Sequence, residues 1–181
     1  MTALPADAGP ARLRRFRAAD LEAFQAYRRD PEVGRYQSWA RMDDREAAGF
    51  ISAVAADPFV PKGAWTQIAI ARAATDELIG DIGIHLDADG GEAEIGFTLA
   101  REAQGRGFAA FAATRVLELL FEKTEAMRVI GVADAENAPS LALMTRIGMI
   151  ETRREPAIFN GAPCIEATFE ARRGVWRGVA F

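Results

Sequence analysis

The sequence predicts a single α/β domain built on a mixed, mostly antiparallel sheet with flanking helices. Three observations carry that expectation. Apolar residues alternate over Trp65–Arg72, Leu78–Leu86 and Glu92–Leu99, with turn residues between, which predicts a three-strand meander. An apolar helical pattern over Gly107–Lys123 then leads to a short strand at Arg128–Val132, a crossover between the fourth and fifth strands. The 181 residues fit one domain, and half of them are hydrophobic, enough to build a core.

In chain order, residues 1–10 are expected to form a disordered tail and residues 11–181 the domain. Arg12–Arg17 reads as an edge-type strand with Leu13 and Phe16 as its apolar residues. Asp20 is placed to cap a helix that runs to about Asp30, with Leu21, Phe24 and Tyr27 on one face and Pro31 stopping it. Glu32–Met42 is irregular and carries Tyr36 and Trp39, which either line a ligand pocket or plug a core edge. Acidic residues at Asp43–Glu46 open a second helix with Phe50, Ile51 and Val54 as its apolar stripe.

After the meander and its helix, Asn137-Ala138-Pro139-Ser140 is a helix-start signature: a capping Asn, then Pro in the first turn. That helix is expected to run to Ile147, with Gly148 as a left-handed end. Met149–Arg154 and Cys164–Ala171 read as two more strands joined through a turn at Asn160-Gly161. The tail from Arg172 holds Trp176 but no clear element.

Composition narrows the chemistry. A net charge of −4 argues against nucleic acid as the main partner. One cysteine and one histidine, Cys164 and His85, exclude an internal disulfide and leave little for a metal site, so no metal is expected. Cys164 reads as a small buried residue. No signal peptide or membrane-spanning run is evident, so a cytoplasmic protein without membrane attachment is expected. The oligomeric state is left unassigned.

The stretch Ile95–Ala109 joins a strand, a turn with two glycines and a helix start. Glycines let backbone N–H groups crowd together where the helix dipole favours an anion, so a phosphate-bearing ligand is one reading and plain turn punctuation the other.

With Ala93-Glu94-Ile95-Gly96-Phe97, Gln104-Gly105-Arg106-Gly107-Phe108-Ala109, and Asn137-Ala138-Pro139-Ser140 followed by Ile147-Gly148-Met149, the chain resembles the GNAT superfamily of N-acetyltransferases, specifically its RimJ/RimL-like branch. Gln104, Gly107 and Ala109 fill the family's glycine motif. The likeness in element order spans about Arg12 to Ala171.

The resemblance implies a GNAT-like fold with a splayed fourth and fifth strand pair, and acetyl-CoA as co-substrate. It implies a pyrophosphate on the amides of Gln104, Gly105, Arg106, Gly107, Phe108 and Ala109, and pantetheine along Phe97, Thr98 and Leu99, with Asn137 capping its helix and bonding pantetheine. Arg106 either adds charge toward a phosphate or points into solvent. Gly96 is compatible with a strand-splaying bulge, or simply makes room for packing.

The implied reaction is attack of a neutral amine on a thioester. An α-amine with a pKa of about 8 is largely protonated at neutral pH, and a lysine-type amine near about 10.4 more so, so a proton acceptor is needed. Glu94 matches the fourth-strand glutamate that serves this role in some members; alternatively it lies with Glu92 on a solvated face. Many members place a tyrosine acid where this chain has Met144. Ser140 matches a serine assigned to that task in the RimL-like branch, or acts in capping and CoA orientation. A thiol with a pKa of about 8.5 leaves readily as thiolate, which lowers the need for an acid. Tyr36, Trp39 and His85 are the candidate acceptor-binding residues, with Asp81 a further candidate to hold an amine. The implied acceptor is a protein N-terminus or a small amine. The competing reading is a non-catalytic CoA-binding or regulatory module.

Overall fold

The computed structural model describes residues 3–179, so Met1, Thr2, Ala180 and Phe181 of the expected tail and domain lie outside the described residues. Strands β1 (Ala6–Ala8), β2 (Ala11–Arg14), β3 (Ala64–Arg72), β4 (Leu78–Leu86), β5 (Glu92–Leu99), β6 (Arg128–Asp134), β7 (Ile150–Phe159) and β8 (Ala162–Arg172) form one sheet in the order β1-β2-β3-β4-β5-β6-β8-β7. Every neighbouring pair is antiparallel except β5 and β6. That single parallel pair is the expected crossover, made by helix α4 (Phe108–Lys123). Because β1 precedes the first strand expected from sequence, the fourth and fifth strands named above are β5 and β6.

The helices cover the sheet on two sides. Helix α4 packs on one face, where Val116, Leu117, Leu119 and Leu120 join Ile68, Ile70, Ile82, Ile84 and Ile95 in the larger core. Each fully buried leucine there contributes roughly 1.5–3 kcal/mol. Helices α1 (Leu21–Arg29) and α3 (Asp44–Ala56) cover the other face through Phe24, Tyr27, Ile51 and Val54. Alternation along the strands feeds both cores, as Ile68 and Ile70 face one and Ala69 the other.

Several expectations need correction. The residues 1–10 read as a tail include a paired strand: Ala6–Ala8 is held against β2 with Ala6 opposite Leu13. Strand β2 is consequently interior and ends at Arg14, short of the expected Arg17. Asp20 does not cap α1 with its side chain. Its carboxylate instead accepts Arg17 N–H at 2.7 Å and both terminal nitrogens of buried Arg14 at 2.8 Å. Pro31 ends α1 but also begins a short helix, α2 (Pro31–Gly34), whose cap Asp30 accepts the Glu32 N–H at 2.9 Å. Cys164 is half-exposed within β8, not buried.

The closing hairpin is longer than expected, because β7 runs to Phe159 and β8 begins at Ala162. Its turn is as predicted, with Asn160 at φ 48° and Gly161 at φ 80°. Gly148, at φ 80°, ends α5 (Ala138–Arg146) as expected, and Trp176 donates its indole N–H to Ile147 O at 2.8 Å. That contact gives the apparently featureless tail a fixed anchor.

Candidate functional site

The site begins where a ladder stops. Strands β5 and β6 pair only through Glu92–Arg128, Ala93–Val129 and Glu94–Ile130. Beyond Ile95 the two strands part, leaving the β6-facing edge of β5 without a strand partner. The splay is therefore present, but no bulge at Gly96 makes it: the β4–β5 register is continuous from Leu86–Ala93 to Gly80–Leu99. A wedge stands at the fork instead. Met144 of α5 is 1% exposed, and its Sδ lies only 2.6 Å from where a Cβ on Gly131 of β6 would be, with Ile95 O 3.8 Å from the same point. The residue at the family's tyrosine position thus fills the base of the fork.

The fork opens into a cleft of about 640 Å³. Its walls are β5 from Ile95 to Leu99, the turn at Gln104–Gly107, the start of α4, the end of β6, and α5 with the loop before it. Gly105 and Gly107 adopt left-handed φ values of 69° and 85°, which a side chain adopts only with strain. Gly107 is the N-cap of α4, and its carbonyl accepts the Ala110 amide at 3.0 Å. The earlier first-turn amides, at Phe108 and Ala109, have no acceptor one turn back within the helix and project toward the turn. The Gln104 side chain donates to Leu99 O at 3.0 Å, tying the turn to the end of β5. These features fit a phosphate group: a tight glycine turn, N–H groups at a helix start, and the positive end of a long helix.

On the opposite wall, Asn137 caps α5 by accepting the Ser140 N–H at 3.3 Å, which orients the serine into the cleft lining. The α2 segment crosses the mouth. Tyr36 donates its hydroxyl to Glu136 O, and the Gln37 side chain to Phe97 O, both at 3.4 Å. Asn160 of the β7–β8 turn reaches Gln37 O at 3.5 Å. Arg101 is bonded to both carboxylate oxygens of Asp30, with Nε to Oδ2 at 3.0 Å, and so fixes α2 to the segment after β5. That guanidinium holds the Asp30 carboxyl below its ordinary range.

The cleft gathers most of the residues expected from sequence: Phe97, Thr98, Leu99, Gln104, Gly105, Gly107, Ala109, Asn137, Ser140 and Tyr36. Arg106 and Phe108 do not line it. The Phe108 ring is buried in the core beneath the Arg72 guanidinium, 5.2 Å from its centroid, so only its backbone is available to a ligand. Trp39 also lies off the lining and is a core plug, with the Arg28 guanidinium 3.9 Å above its ring.

Glu94 and His85 lie on the sheet face beneath α1 and α3, just outside the cleft lining. They are cross-strand partners, and His85 stacks obliquely on Trp65 at 5.4 Å. Burial pushes the Glu94 carboxyl up; His85 opposes this, and the charges of Glu92 and Glu166 add to it. Asp81, two residues before Gly83, is not free to hold an amine. It accepts Tyr27 OH at 2.5 Å, pairs with Arg28 at 3.4 Å, and is itself buried. Burial raises its carboxyl and, first among several causes, raises the Tyr27 phenol. Sequence reasoning did not single out Gln37, Gln67 or the wedge role of Met144; each acts through partners distant in the chain. No group of His, Cys, Asp and Glu that could hold a metal exists among the described residues. No described helix is long and apolar enough to cross a membrane.

The family model described as an acetyltransferase (GNAT) domain matches residues 11–150. The chain belongs to the GNAT acetyltransferase family. The match takes in β2 through α5, hence the fork, the glycine turn and the Asn137 helix, and stops where the β7–β8 hairpin begins. Among relatives, the chain is 29% identical over 136 residues to the uncharacterized N-acetyltransferase p20 of Bacillus licheniformis, covering 75% of this chain and 76% of that one. A GNAT-family acetyltransferase of Bacillus anthracis superimposes with a TM-score of 0.80 at 23% identity, covering 92% and 96% of the two chains. A spermidine N-acetyltransferase of Vibrio cholerae, solved with CoA and spermine, superimposes at 0.78 and 19% identity, covering 92% and 98%. At these identities the two structures establish the GNAT fold.

Proposed function

We propose that this GNAT protein moves an acetyl group from acetyl-CoA to a primary amine by direct attack in a ternary complex. The observation that carries the reading is one cleft in which the unpaired edge of β5 runs straight into the left-handed glycine turn, with Asn137 and Ser140 opposite. In this reading the amides from Gln104 to Ala109 hold the pyrophosphate, and the Phe97–Leu99 backbone pairs with pantetheine as an added strand edge. The Gln37 side chain, which donates to Phe97 O, gives way to it.

Acetyl-CoA supplies the acyl group activated as a thioester. Glu94, directly or through a water it holds, takes the proton released as the amine nitrogen bonds the acetyl carbon and the C–S bond breaks. A raised carboxyl is a stronger base than an ordinary one, which suits this task. Ser140 orients the thioester or donates to the departing thiolate, which needs little help at its ordinary pKa. Tyr36 and His85 border the acceptor's approach. The acceptor is a small amine or a protein N-terminus, the latter following from the RimJ/RimL-like motifs. The spermine-bound relative supports a small amine.

One observation favours a non-catalytic CoA-binding module: Met144, buried at the fork, cannot protonate a leaving group. A thiol-release assay over a panel of amines and peptides separates the two. The transferase reading expects CoA release that depends on an amine. Tight acetyl-CoA binding with release unchanged by every amine supports the binding module instead.

A further inference from the structure

The inner end of the cleft is closed by apolar residues. Glu94–Ile130 is the last paired rung between β5 and β6, so the sheet is continuous below it. One residue further along β6, Gly131 leaves a notch on the α4 side of the sheet, where its neighbours Val129 and Ala133 join the larger core. The Met144 thioether takes up that notch. Its Sδ lies 2.6 Å and its Cγ 3.7 Å from where a Gly131 Cβ would be, with Ile95 O at 3.8 Å. Met144 is 1% exposed, yet it belongs to the cleft lining beside Ile95, Val132 and Leu143. Its side chain is therefore the floor on which the cleft ends.

The unpaired edge of β5 leads from the glycine turn to this floor. Leu99 O accepts from Gln104 and Phe97 O from Gln37, and Ile95 O lies beside the Gly131 notch. Alternate residues of β5 thus turn their backbone groups toward the gap, and from Leu99 back to Ile95 they cover about 13 Å at about 3.3 Å per residue. With the pyrophosphate at the turn and pantetheine along this edge, the thioester end of the arm belongs at Ile95. Edge amides are there to hold its carbonyl, and the arm fixes its sulfur. The acyl chain, the third substituent on that carbon, is left facing β6 and Met144. A methyl group ends in apolar contact with the thioether. A longer chain presses on Met144, or else swings toward the open face at Gly96, where nothing lies within 4 Å of a Cβ position. The second course draws the carbonyl off the edge and fills space the amine needs.

Resting on the transferase reading above, we infer that Met144, seated in the Gly131 notch, determines acyl specificity and limits the protein to acetyl among straight-chain acyl-CoA thioesters. The residue that cannot serve as an acid thus has a role at the same place. The test is calorimetric titration of CoA, acetyl-CoA and butyryl-CoA into the parent protein, Met144→Ala, Met144→Val and Met144→Leu, with no amine present. Each affinity is read relative to CoA in the same variant, so a general loosening of the cleft cancels. The parent is expected to bind butyryl-CoA at least about tenfold more weakly than acetyl-CoA. Met144→Ala is expected to raise butyryl-CoA against acetyl-CoA by about tenfold or more, because the two added methylenes fill the vacated space. Met144→Val, a smaller deletion that keeps the test open should the alanine variant not fold, is expected to move the ratio the same way. Met144→Leu, similar in volume, is expected to keep the parent's preference. A parent that binds the two thioesters equally, or a ratio that neither deletion raises, overturns the inference alone. Absence of CoA binding by the parent overturns the transferase reading and the inference with it.

Discussion

Replacing Glu94 with glutamine removes the proposed proton acceptor while keeping its shape. Burial is the first cause of the raised Glu94 carboxyl, and Glu92 and Glu166 add repulsion that His85 offsets. The working form is the carboxylate, so activity in the unmodified protein falls as pH drops through that raised value. A positioned general base contributes about 10²–10⁴ in rate, which corresponds to roughly 2.7–5.5 kcal/mol of barrier. Glu94→Gln is therefore expected to lower kcat by that factor near neutral pH and by less at alkaline pH, where more of the amine is already neutral. Stability separates this loss from unfolding. A carboxyl whose folded pKa is raised contributes stability below its unfolded pKa, and that contribution is lost as pH rises through the folded value. At pH 8 the ionised group is a net cost, so the variant should melt no lower than the parent. Amine-dependent CoA release followed from pH 6 to 10, beside thermal melts, provides the check. A ratio of parent to variant near one, or one that does not change with pH, refutes the base role.

Other perturbations probe the frame that presents the cleft. Asp20→Ala strips the buried Arg14 guanidinium of its bidentate partner, leaving the part-exposed Asp76 as its one carboxylate beside the Arg15 carbonyl, and should cost about 3–5 kcal/mol by urea denaturation. Gly107→Ala meets only ordinary contact with the Phe111 ring, so its cost is the left-handed backbone, about 1–2 kcal/mol. If the turn relaxes to relieve it, acetyl-CoA affinity by calorimetry should fall as well, and unchanged affinity would argue against a pyrophosphate at this turn. Asn137→Ala removes the α5 cap and should lower stability by about 1 kcal/mol in addition to raising the KM for acetyl-CoA. Ser140→Ala leaves the cap acceptor intact, so it should alter kcat with little change in melting temperature.

The meander, α4, the crossover and the Asn137 helix were legible because period-two and helical patterns, glycines and a capping asparagine are local signals. The donor half of the cleft was legible for the same reason: Phe97–Leu99, the glycine turn, Asn137 and Ser140 are contiguous motifs. What escaped depends on partners far apart in the chain. Strand β1 is three residues long, with two alanines, and exists by pairing with β2. Asp20 looked like a cap because the sequence does not reveal that Arg14 folds back onto it. The splay was expected from Gly96, whereas the fork holds Met144 against Gly131, a contact between α5 and β6. Phe108 illustrates a motif residue that serves through its backbone while its ring serves the core. The acceptor side was the least legible, because Glu94 and His85 come together only once β4 and β5 are in register.

The central claim is that the cleft and the adjoining sheet face hold donor and amine together for direct transfer. Initial velocities measured over a grid of acetyl-CoA and amine concentrations test it most directly, with the acetylated amine identified by mass spectrometry. Reciprocal plots that intersect are the predicted result. Parallel lines, which signify an acetylated protein formed before the amine binds, or CoA release without an acetylated amine, would contradict the account.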